Sequence, residues 1–235
     1  MSPDCRKYVD RIASESVERP VVFVVDGDIS FREALELVIL SAGYDSRTAA
    51  SAEEFLAHPR TIAPSCLLSE LHFSGLTGLD LQRLVAERAE LPIIFMSHQV
   101  GVQVAVQAVK NGAFGVFTKP LAHEFLLGEI RSALECSRAA LRHLARIQWI
   151  RDRYDSLSAR EREVMSLVVA GRLNKQIGSE LGISEGTVKA HRHALMRKMQ
   201  ARSLAELISS TVELRVKAVR SLDDGRGSKY IAGVA

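Results

Sequence analysis

Two apolar runs in this chain end in carboxylates. Residues 20–25 lead into Asp26-Gly27-Asp28, and Cys66-Leu67-Leu68-Ser69 leads into Glu70. A hydroxyl follows at Ser97 and an ammonium at Lys119, directly before Pro120. Acids, a hydroxyl and a lysine at the ends of short apolar runs are the residue types of a phosphate-chemistry site. Oxygen ligands hold a hard cation such as Mg²⁺, and phosphoryl transfer proceeds by positioning and charge neutralisation. A second group of polar residues, from Ser158 to Lys198, is basic and regularly punctuated, which points to binding rather than catalysis.

The elements that must position the first group alternate in kind. Short apolar runs at 21–25, 44–48, 65–69, 92–96 and 114–117 read as strands, and helical-period segments near 30–42, 51–58, 79–89 and 102–111 separate them. That alternation predicts a doubly wound, flavodoxin-like, five-stranded parallel sheet covered by helices on both faces. Such a sheet collects its ligand chemistry at the carboxyl ends of its strands, where Asp26, Asp28, Glu70 and Ser97 all fall. Beyond Pro120 a helical stretch runs from about 121 to 153 with Leu126, Ile130, Ala133, Ala140, Leu144 and Ile147 at helical spacings. Its first part closes the sheet domain. Its continuation reads as a stiff linker, with or without a coiled-coil contact.

The last third predicts four short helices. Ser158 with Glu161 three residues on forms a capping box, residues 173–181 make a second helix, Gly182 a turn, and Ser184 caps a third running to about Gln200. A fourth begins after Ser203 and fades near Lys217. The expected organisation is a flexible extension (1–19), a sheet domain (20–136), a helical linker (137–155), an all-α domain (156–217) and a flexible tail (218–235).

Charge supports two different tasks. Residues 1–120 carry 11 Lys and Arg against 15 Asp and Glu, a net of −4, whereas residues 151–235 carry 16 against 10, a net of +6. A basic half joined to an acidic one implies a polyanionic partner for the basic half. No apolar stretch approaches the roughly 20 residues needed to span a bilayer, and no signal-peptide core is present, so the expected location is the cytoplasm. Cys5, Cys66 and Cys136 lack metal-ligand spacing. They read as incidental thiols, with a redox role for Cys66 as the alternative.

The run Leu157-Ser158-x-Arg160-Glu161-x-Glu163-Val164, then Gly171, Asn174-Lys175-x-Ile177, Leu181-Gly182-Ile183-Ser184 and Thr187-Val188-Lys189-x-His191, closely resembles LuxR-type helix-turn-helix domains of the FixJ-like response regulators. The resemblance implies a sequence-specific DNA-binding regulator of transcription, without cofactor or enzymatic activity, acting as a homodimer on double-stranded half-sites. It assigns base-edge contacts to Lys189, Ala190 and His193, and phosphate-backbone contacts to Lys175, Thr187, Arg192 and Lys198. Gly178 stands where the family prefers a small residue such as alanine.

Residues 20 to about 135 resemble the receiver domains of the same family, whose switch hydroxyl, lysine and following proline match Ser97, Lys119 and Pro120. The resemblance implies a cis Lys119-Pro120 bond and a histidine-kinase or other signalling partner. It also exposes three departures. Gly27 occupies the place of a metal-binding acid, Glu70 that of the acceptor aspartate, and Val116 that of the switch aromatic. Receivers hold Mg²⁺ with the acid pair, the acceptor and a backbone carbonyl two residues later, here His72. Glu70 reaches about 1.5 Å further than an aspartate, and an error of about 1 Å can cost on the order of a hundredfold in rate. The expected site is therefore degenerate, with no metal expected and only Asp26, Asp28 and Glu70 as residual Mg²⁺ candidates. Glu70 then acts either as a partial phosphate mimic reaching Lys119 or as part of a structural ion-pair cluster. The alternatives are a conventional phosphorylated regulator using Glu70 and Asp28, and a receiver that binds a protein or small ligand.

Overall fold

The computed structural model describes the backbone of residues 19–73 and 75–223 and side chains as far as residue 214. Residues 1–18 and 224–235, most of the two segments expected to be flexible, lie outside the described residues, as does Cys5. The chain divides into two compact units, one ending at His143 and the other starting at Leu144.

The first unit is a five-stranded parallel sheet in the order β2-β1-β3-β4-β5: β1 Val21–Val25, β2 Asp45–Ala49, β3 Ser65–Ser69, β4 Ile93–Ser97 and β5 Gly115–Thr118. Its helices are α1 Ile29–Ser41, α2 Ala52–Ala57, α3 Gly78–Leu84, α4 Val102–Lys110 and the start of α5 His123–Asp155. Central strands are buried at every position, and largely apolar, because both faces are covered. The period-2 pleat divides them. Val21, Phe23, Val25, Leu67, Ile93 and Phe95 face α2, α3 and α4 through Phe55, Leu81 and Ala108. Val22, Val24, Cys66, Leu68, Ile94 and Met96 face α1 and α5 through Leu35, Ile39, Leu126, Ile130 and Leu134. Each such fully buried large side chain contributes about 1.5–3 kcal/mol. The third helix stops at Leu84, short of the expected 89, because Val85 and Arg88 close the segment with turn hydrogen bonds before Pro92.

The second unit contains α6 Ala159–Val169, α7 Asn174–Leu181, α8 Glu185–Lys198 and α9 Leu204–Asp223. Val164, Met165, Val168, Ile177, Val188, Leu195, Met199 and Leu207 form its core. Trp149 and Ile150 are buried in that same core, with Ala145 packed against it. The segment expected as a linker is thus one unbroken helix whose last two turns complete the C-terminal core, because its apolar residues need a partner and the short helices offer one. The last helix also continues past Lys217 to Asp223.

Candidate functional site

The parallel ladder itself gathers the acidic site. Beyond the strand ends, the N–H of Asp26 donates to Ala49 O (3.1 Å), that of Glu70 to Val25 O (2.9 Å) and that of Lys119 to Ser97 O (2.9 Å). These bonds extend the register by one residue and bring Asp26, Glu70 and Lys119 to one edge, where all three are buried together with Ser97. Strand order reverses between β1 and β3, the crevice in which such sheets bind ligands.

Lys119 closes this crevice. Its Nζ lies 2.5 Å from Asp26 Oδ2 and 2.7 Å from Glu70 Oε2, and 3.9 Å from the centroid of the Phe31 ring. The remaining carboxylate oxygens are also engaged: Asp28 N–H donates to Asp26 Oδ1 (2.9 Å) and Leu71 N–H to Glu70 Oε1 (2.8 Å). Arg32 anchors the Asp26 carbonyl at 2.6 Å. Burial pushes the Glu70 carboxyl up, but hydrogen bonds from Lys119, Ser97 and the Leu71 amide outweigh it and hold the group below its ordinary value. The Lys119-Pro120 bond is cis.

These residues do not fit a divalent cation. Gly27 offers no ligand, and Asp28, a residual candidate from the sequence, turns away: its Oδ1 caps α1 by accepting from Ser30 N–H (2.9 Å) and Phe31 N–H (3.3 Å). Its acidic type suits a helix N-cap as well as a metal, and here the helix claims it. Among the described residues no group of three His, Cys, Asp or Glu is arranged to hold a metal ion. Cys66 has no reactive thiolate near the site, since burial pushes its thiol up to about 12. Val116 is half-buried against the α2–α3–α4 face.

The second candidate site is built by α6, α7 and α8. Ser158 caps α6 with both halves of its capping box formed. Gly182, at φ +66°, makes the left-handed turn between α7 and α8, and Ser184 caps α8 through Thr187 N–H at 3.1 Å. Gly178 permits the close approach of this turn, since a Cβ there would meet Ile183 O at 2.8 Å. With Val188 and Leu195 buried against the core, α8 exposes Lys189, Ala190 and His193. Arg197 continues the same exposed stripe at i+4 spacing from His193. Sequence reasoning passed it over, although the spacing 189-193-197 was its signal. Lys189 pairs with Glu185 at 3.1 Å on the helix surface, and Lys175 and Thr187 are exposed at the starts of α7 and α8. Two other expected phosphate contacts are tied inward. Arg192 donates to Asn174 Oδ1 (3.0 Å), and Lys198 to Glu161 Oε2 (2.6 Å) and Ser156 O (3.3 Å).

An exposed α-helix matches the roughly 12 Å major groove of B-DNA in width. A basic stripe on it supplies donors for bases and phosphates.

Comparison with known proteins agrees with both halves. Residues 22–131 match the family model described as "Response regulator receiver domain", and residues 155–211 match "Bacterial regulatory proteins, luxR family". The chain is 38% identical over 213 residues to response regulator protein TmoT of Ectopseudomonas mendocina, covering 89% of this chain and 97% of that one. It is 36% identical to transcriptional regulatory protein FixJ of Bradyrhizobium diazoefficiens, covering 80% and 92%. Among solved structures, response regulator StyR superposes with a TM-score of 0.72 at 35% identity, over 83% of this chain and 99% of that one.

Proposed function

The chain belongs to the response regulators that join a receiver domain to a LuxR-type DNA-binding domain, a family of transcription regulators rather than enzymes, and on that premise we propose that it regulates transcription without aspartyl phosphorylation. The observation that carries this reading is the closed triad. Lys119, which in a receiver meets the transferred phosphoryl group, is already bound to Asp26 and Glu70. Every carboxylate oxygen of the pair accepts a hydrogen bond, and Gly27 and Asp28 supply no cation ligand. Glu70 takes the acceptor's place and, by its extra methylene, keeps the lysine engaged as a phosphoryl group would. One charge replaces about two, so the mimicry is partial, and the receiver rests in one state. Receivers as a class work with kinases; in this chain the acceptor chemistry is closed.

DNA is read by α8 in the major groove, with Lys189 donating to guanine acceptors, Ala190 making apolar contact and His193 and Arg197 following along the stripe. Lys175 and Thr187 meet phosphates. The protein acts in the cytoplasm as a homodimer on two half-sites, pairing through α4, where Val102 (80%), Val106 (47%) and Val109 (57%) are exposed while Ala108 faces the core. Incubation with a small phosphodonor and Mg²⁺ tests the control mechanism: intact mass should not change, and a stable gain abolished by Glu70→Gln would overturn it. Duplexes selected from a random pool should be the same with and without the phosphodonor. Lys189→Ala should weaken binding to the selected duplex by about 1–3 kcal/mol at matched salt; unchanged binding removes α8 from the groove.

A further inference from the structure

α8 is seated in its unit by few apolar contacts. Val188 and Leu195 are buried along it, seven residues apart on one face, with half-buried Met196 packed against the same core and Met199 just beyond the helix end. Apolar contacts are non-directional and fix small slides and rotations of a helix loosely, yet base-edge hydrogen bonds tolerate errors well under 1 Å. Polar ties supply what the apolar contacts omit. Ser184 fixes the first turn, Arg192 ties the middle to Asn174, and Lys198 ties the last turn.

The Lys198 tie differs from the others in its partner. Glu161 is the third residue of α6, and its Oε2 accepts both the Ser158 N–H of the capping box (2.7 Å) and Lys198 Nζ (2.6 Å). The Glu161 side chain is 7% exposed. A single buried oxygen therefore joins the start of one helix to the end of another, and Ser156 O adds a second acceptor at 3.3 Å. A lysine so neutralised brings no net charge to a phosphate, and counterion release follows net charge.

We propose that Lys198 is a positioning residue, which sets the axial placement of α8 through Glu161, and not a phosphate contact. This rests on α8 entering the groove, and Lys189→Ala is the control that separates the two ideas. The full chain and its variants are titrated against the selected duplex over a salt series, well below the unfolding temperature. Folding is followed by the fluorescence of Trp149, the only tryptophan and part of the same core. Lys198→Met should lower affinity about tenfold, and Lys198→Met combined with Glu161→Gln, which leaves the net charge of the pair at zero, should keep the slope of log K against log salt unchanged. Glu161→Gln should lower it comparably, and the double variant should be no worse than either single one, because the two residues act as one unit.

A slope shallower by about 0.9 in the charge-neutral double variant, the loss of one phosphate contact, would overturn the proposal. So would a lowered unfolding temperature with unchanged affinity, which marks a role in stability alone, or strictly additive losses. If Lys198→Met does not fold, Glu161→Gln decides: reduced affinity supports positioning and full affinity refutes it. If Lys189→Ala retains full affinity, the placement of α8 fails and this proposal with it.

Discussion

Lys119 carries the greatest electrostatic burden of any single residue described, because two carboxylates are buried around one ammonium. Removing one member of a buried pair leaves a charge uncompensated, at a cost of about 3–5 kcal/mol. Lys119→Met should destabilise the receiver unit by that order in denaturant titrations followed by circular dichroism, and a second change, Glu70→Gln, should recover part of the loss. The acid sensitivity of the protein also belongs to this scale. Glu70 and Glu161 both sit below their ordinary value of 4.5, Glu161 chiefly through Lys198 and the Ser158 amide. Groups depressed in the folded state stabilise it fully above the unfolded value, and the contribution fades as pH falls through the folded one. Unfolding free energy measured from about pH 6 downward should therefore hold until near 4.5 and then decline, and Glu161→Gln should flatten the decline seen by Trp149 fluorescence. That Asp26, Glu70 and Lys119 gather at one edge was legible in the sequence, because all three follow strands whose ends must meet, whereas the bridging of both carboxylates by one ammonium was not. Asp28 and Lys198 were not, since an acid next to a helix and a base at a helix end each have two uses, and only the direction of the side chain separates them.

At the scale of elements, α7, its turn and α8 depend on a glycine in a helix. Alanine at position 178 would gain roughly 1 kcal/mol of helix propensity, but its Cβ would stand 2.8 Å from the carbonyl oxygen of Ile183, so backbone of the turn has to shift to admit it. Gly178→Ala should thus lower the unfolding temperature of the C-terminal unit, against the propensity argument, as scanning calorimetry can measure. By contrast, Gly27 has open space around it. Gly27→Asp combined with Glu70→Asp should fold normally and gain Mg²⁺-dependent labelling by a phosphodonor, because it supplies the absent ligand and shortens the acceptor. Strands β1 and β3 and the caps at Ser158 and Ser184 were readable from local pattern, since apolar runs and capping residues act over a few positions. The short α3 was not readable, because its apolar period continues beyond Leu84 while the backbone turns toward β4.

For the whole molecule, the acidic and basic halves divide the work: an affinity for DNA that falls steeply with salt belongs to the basic one. Among the described residues, the core clusters of the two units share no residue. Lys119→Met is accordingly expected to displace the unfolding of the first unit, and Gly178→Ala that of the second, as two distinguishable calorimetric effects. Sequence periodicity and caps determined the sheet class and the short helices, because they are local properties, and resemblance to a family added the helix-turn-helix and the departures at residues 27, 70 and 116. Tertiary structure alone decided that Lys119 bridges both carboxylates, that Asp28 serves a helix, that Trp149 and Ile150 complete the second core, and that Lys198 faces Glu161. Each of these depends on which groups meet across distances of many residues, and a charge or an apolar side chain acquires its role from the partner that packing places beside it.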